Sequence, residues 1–175
     1  MAEENPMMVA WKGKTFQSEN DLRSWVRWAS FGKARWVEPS IGSTTGLPDF
    51  WVPFGGFGLS THIELKFGEI HKGSMLKYNI RTSQIREINK MLADGISVGL
   101  MVGIKDSKEI IILPPTEEAL SGYVDMSDLH GNKKRLVDGS LRKSFWFGIS
   151  FVFRTAEEFY SGKLPPKIPN LPNLK

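Results

Sequence analysis

The spacing of apolar residues changes several times along this chain, and each change marks an element. Leu22, Trp25, Val26 and Ala29 recur at i, i+3, i+4 and i+7, the stripe of a helix that buries one face. Ser18 with Asp21 resembles a capping box in which Asp replaces the usual Glu or Gln, and Gly32 is a stop signal. The spacing therefore predicts a helix over about 18–31. Arg35 to Glu38 is a short strand candidate, and 39–47 (PSIGSTTGL) is a polar loop. Asp49 to Phe54 and Leu59 to Phe67 read as two strands joined at Gly55-Gly56, a hairpin-turn dipeptide. Residues 68–81 read as a basic connector. Thr82 or Ser83 then caps a second helix that carries Ile85, Ile88 and Leu92 and stops at Gly95. Val98 to Ile104 is almost uninterruptedly apolar, as expected of a strand covered on both faces, and Glu109 to Leu113 follows as another strand.

The order α-β-β-β-α-β-β predicts an α/β fold, a mixed sheet flanked by helices. Beyond Pro114-Pro115 the signal weakens. Thr116 to Leu120 is a short helix candidate, Phe145 to Phe153 reads as a strand, and Thr155 to Glu158 reads as a capping box opening a short helix. These readings divide the chain into a core over 17–113, a β-containing extension over 114–162 packed on it, and a tail over 163–175, rich in proline and lysine, that is expected to be mobile.

Composition narrows the classes. A chain of 175 residues with 41% hydrophobic content is one domain's worth of sequence with material for a real core. No run of ~18 apolar residues suggests a membrane span. The opening Met-Ala-Glu-Glu-Asn-Pro is not a secretory signal. The absence of cysteine excludes disulfides and thiolate metal sites, which fits a cytoplasmic location. The net charge of +4 and pI near 9.3 point to a polyanionic partner; the basic run from Lys133 to Lys143 reads as a solvated face that could also extend contact with its phosphates.

Candidate chemistry lies at the hairpin. Alternation sends Ile63, Leu65 and Phe67 to one face of their strand and His62, Glu64 and Lys66 to the other. Taken alone, Glu64 and Lys66 read as a solvent-facing pair on an edge strand. If the hairpin register brings Asp49 beside Glu64, the two carboxylates form an oxygen-rich pocket suited to Mg²⁺. A cation there would polarise a phosphodiester and activate water, with Lys66 neutralising charge on the phosphate and the Leu65 carbonyl as a further ligand.

Gly46-Leu47-Pro48-Asp49-Phe50, Ile63-Glu64-Leu65-Lys66 and Ser83-Gln84 together resemble the PD-(D/E)XK nuclease superfamily, closest to the VRR-NUC nucleases and the archaeal-type Holliday junction resolvases. The resemblance covers about 17–113. Those families show S-x-x-Q at the second helix; here Ser83 and Gln84 are adjacent, so only Gln84 carries over. The resemblance implies a metal-dependent endonuclease acting on DNA with Mg²⁺ or Mn²⁺, structure-specific for Holliday junctions or other branched DNA, and dimeric if it resolves junctions. Asp49 and Glu64 would be metal ligands, Lys66 the catalytic lysine, and Gln84 would orient a phosphate or water. Glu19 matches the first-helix glutamate of many members; it reads equally as a first-turn acid favoured by the helix dipole. Arg35 and Ser43 fall on segments that face DNA in resolvases, and His71, Lys72, Lys77 and Arg81 lie in the connector beside the site. The alternative is a nuclease fold without activity, serving as a DNA-binding or structural component such as a phage part.

Overall fold

The computed structural model describes residues 11, 14–37, 46–53, 60–129 and 134–160. Its elements in chain order are α1 (Glu19–Ala29), β1 (Arg35–Trp36), β2 (Phe50–Pro53), β3 (Ser60–His71), β4 (Met75–Tyr78), α2 (Thr82–Ala93), β5 (Ser97–Ile104), β6 (Glu109–Leu113), α3 (Glu117–Ser121), β7 (Tyr123–Asp125), β8 (Arg135–Asp138) and α4 (Arg142–Tyr160). Eight strands form one mixed sheet in the order β1-β2-β3-β5-β6-β8, with β4 pairing β3 and β7. β3 and β5 are parallel and the other pairs antiparallel.

Both faces of the sheet are covered. On one, Leu22, Trp25, Val26 and Ala29 of α1 and Phe145, Ile149 and Val152 of α4 pack on Phe50, Ile63, Leu65 and Met101. On the other, Ile88, Met91 and Leu92 of α2 pack on Val98, Leu100, Val102 and Ile104. Each large apolar side chain so buried contributes about 1.5–3 kcal/mol. Ser18 caps α1 as its spacing predicts: the hydroxyl accepts from the Asp21 N–H at 3.3 Å and the Asp21 carboxylate accepts from the Ser18 N–H at 3.1 Å. Among the described residues no helix is long and apolar enough to cross a membrane.

Four expectations about the elements fail. Residues 68–81 are not a plain connector: β3 runs on to His71, turns through Lys72 and Gly73, and returns as β4. Neither Thr82 nor Ser83 caps α2; Arg81 is its N-cap. Phe145 to Phe153 is not a strand but the body of α4. Its aromatic and β-branched residues favour a strand locally, yet Phe145, Ile149 and Val152 at i, i+4 and i+7 bury one helical face, and burial outweighs propensity. Thr155 opens no new helix, because it lies inside α4 and donates its hydroxyl proton back to the carbonyls of Phe151 and Val152, both at 2.9 Å. The Gly55-Gly56 turn and the 163–175 tail lie outside the described residues.

Candidate active site

β3 runs 12 residues, and its outer edge is divided between two partners. β2 pairs with Ser60 to Ile63, and β4 pairs with Gly68 to His71. Between them the sheet forks. The Phe50↔Ile63 register, followed one step back along β2, sets Asp49 across from Glu64. The Asp49 carboxylate takes up the open edge: its Oδ2 accepts the Leu65 N–H at 2.8 Å. In a strand the N–H and C=O of one residue leave on the same side, so the Leu65 carbonyl faces the fork as well.

The turn into Asp49 is fixed by a close approach. Gly46 has φ +58, and a Cβ there would lie 2.6 Å from the Ser83 carbonyl carbon and oxygen and 2.8 Å from the Gln84 nitrogen. The Pro-Asp turn therefore rests on the first turn of α2, and only glycine fits there.

Glu64 and Lys66 project to the α2 side of β3, as alternation requires. They are not a solvent-facing pair on an edge strand, because β3 is interior and α2 covers them; both are buried. Lys66 Nζ meets Glu64 Oε1 at 2.7 Å. Gln84 joins the two: its Nε2 donates to Glu64 Oε1, and its Oε1 accepts from Lys66 Nζ at 3.1 Å and from the Arg81 N–H at 2.9 Å. Gln84 is thus engaged with protein groups and positions the acid–lysine pair. Burial, and next the charge of Asp49, push the Glu64 carboxyl up to about 7; Lys66 opposes the shift and Glu19 adds to it. Glu64 Oε2 is buried with no hydrogen-bond partner among the described residues.

Arg23, which the sequence did not single out, sits at the mouth. Its Nη2 donates to Asp49 Oδ1 and lies 3.4 Å from Glu19 Oε1, and its guanidinium carbon stands 5.3 Å from the centre of the Trp36 ring. The signal was present as Glu19-x-x-x-Arg23, an i,i+4 pair on α1. Among the described residues no three His, Asp or Glu side chains gather tightly enough to hold a metal ion by themselves. Asp49 Oδ2 is bonded to the Leu65 N–H, and the charge of Asp49 acts on Glu64. A buried carboxylate oxygen without a partner, in the field of a second carboxylate, has the oxygen chemistry that suits a hard cation.

The other candidates scatter. Arg35 is exposed and donates to the Gly32 carbonyl at 3.0 Å. Ser43 lies outside the described residues. Lys72 is in the β3–β4 turn, and Arg81 is exposed at the α2 N-cap. His71 and Lys77 line a separate cleft of about 500 Å³ with Phe67, Tyr78 and Tyr123. His62 is half-buried beside Trp51, and burial lowers its pKa. The basic run is not one solvated face: Lys134 is buried and meets Glu118 Oε1 at 2.9 Å and the Asp125 carbonyl at 2.7 Å. Compared with family models, curated proteins and solved structures, the chain gives no match.

Proposed function

We propose that this chain is a metal-dependent endonuclease that hydrolyses DNA phosphodiester bonds, structure-specific for branched DNA, built on a restriction-endonuclease-like core. One observation carries the reading: the Asp49 carboxylate is tied to the Leu65 N–H at 2.8 Å, inside the Glu64-Leu65-Lys66 triplet itself. Asp49, one residue before β2, is thereby tied to the same stretch of β3 that carries Glu64 and Lys66.

Mg²⁺ or Mn²⁺ held by those acids would supply Lewis acidity and lower the pKa of a water. The chain's residues do the rest. Asp49 and Glu64 would hold the cation, with the Leu65 carbonyl as a further ligand. Lys66 presents its ammonium where negative charge grows on the phosphate. Gln84 keeps Glu64 and Lys66 from swinging apart. The positive net charge supports an anionic substrate.

Cleavage of a four-way junction with Mg²⁺ tests the proposal. Asp49→Ala, Glu64→Ala and Lys66→Ala should each lower the rate by about 10³-fold while binding persists. Unchanged cleavage by the Lys66 variant sinks the mechanism. A second reading, a nuclease fold that binds without cutting, is favoured by one feature: Arg23 already holds Asp49. It expects junction binding with no metal-dependent product.

A further inference from the structure

We propose that Arg23 is a built-in counter-cation that competes with a divalent ion for Asp49 and, once displaced, takes a backbone phosphate oxygen of the nucleic acid. The inference rests on the reading of Asp49 and Glu64 as a cation site.

Asp49 has two carboxylate oxygens. Oδ2 is committed to the Leu65 N–H, which leaves Oδ1 to meet a cation, and Oδ1 is the oxygen that Arg23 holds. The same Nη2 also reaches Glu19 Oε1, so one guanidinium nitrogen bridges the two acids whose charges act on Glu64. A divalent ion on Oδ1 and the Arg23 guanidinium compete for that oxygen, because two cations held at one atom repel each other. Arginine cannot leave by losing its proton, so only a competing cation or a competing anion moves it.

Displacement has a natural destination. Arg23 stands at the rim with a side chain 32% exposed, and its planar fork suits phosphate better than an isolated ammonium does. The ring of Trp36 beneath it limits how far the guanidinium can drift. Metal binding would thus release the group that next holds the DNA, and by reciprocal linkage each ligand would tighten the other.

The test is titration of the full chain with Mn²⁺ alone, followed by calorimetry and by the loss of free-ion electron paramagnetic resonance signal. Arg23→Met and Arg23→Gln should each bind Mn²⁺ about five- to tenfold more tightly than wild type, the gain from removing a charged hydrogen-bonding competitor. Arg23→Lys, which keeps the charge, should stay within about twofold of wild type. Arg27→Met controls for simple loss of positive charge, because Arg27 shares the Trp36 ring but lies one helical turn further on; it too should change affinity less than about twofold. In a duplex-binding assay Mn²⁺ should strengthen wild-type binding more than that of Arg23→Met. Equal Mn²⁺ affinity in wild type and both neutral Arg23 variants, or equal tightening by Arg27→Met, would overturn the competition and leave the cation site standing. Absence of Mn²⁺ binding in every protein would overturn both.

Discussion

Beneath α2, Glu64 exposes 1% of its side chain and Lys66 10%, and Gln84 bonds to both. Across the fork, at the rim, Asp49 exposes 16%, Arg23 32% and Glu19 45%. The same charges behave differently in the two places. The inner half is a dry set in which burial raises a carboxyl to about 7, so that near neutrality Glu64 is divided between its two protonation states. The outer half is wet, and its acids are matched by a fixed arginine charge. The comparison teaches that burial sets the state of the acid in one half of the site, and pairing with a fixed cation sets it in the other.

The largest test of that difference is pH. Glu64 has a folded pKa near 7 against 4.5 for the free side chain. Below about 4.5 both folded and unfolded chains keep the proton, and Glu64 leaves stability unchanged. Between about 4.5 and 7 the unfolded chain releases it first, so the folded state holds more protons and stability falls as pH rises. Above about 7 the loss is complete, at roughly 3 kcal/mol. Chemical denaturation of metal-free protein from pH 4 to 8 should show this fall. Glu64→Gln should abolish it, and Asp49→Asn should keep a smaller fall, because burial remains when the Asp49 charge is gone. The same fall in both variants would erase the distinction between the halves.

A smaller effect concerns what joins them. Gly46→Ala places a Cβ against the Ser83 backbone at a left-handed φ, and should cost about 2–3 kcal/mol by denaturant unfolding. Because this turn carries Asp49 but not Glu64, cleavage should fall more than stability alone requires, while the pH profile of Glu64 persists. Loss of that profile would mean that the inner half depends on the rim.

The smallest effect lies outside both. Alanine in place of Lys72, Lys77 or Arg81 should lower the slope of log affinity against log salt by about one each, with little change in cleavage rate at saturating DNA. A variant that leaves the slope unchanged does not touch phosphate in the bound state.

Much of the architecture is legible in local chemistry. The α1 stripe and its Ser18 cap, the all-buried β5 and the alternation that splits Ile63 and Leu65 from Glu64 and Lys66 all follow from periods of 3.6 and 2. The site is legible in part. Asp49, Glu64, Lys66 and Gln84 stand out as residue types at suggestive spacings, and the structure brings all of them to the β2–β3–α2 junction. Arg23 did not stand out, because an i,i+4 ion pair on a helix surface carries no sign of a third partner 26 residues away.

The sequence by itself determined which side chains of β3 share a face and where α1 begins, because those depend on a few neighbouring residues. Only the tertiary structure decided the fork of the sheet, the burial of Glu64 and Lys66 beneath α2, the helical state of 145–153 and the hold of Arg23 on Asp49. Each arises between segments far apart in the chain, where burial and charge pairing outweigh local preference.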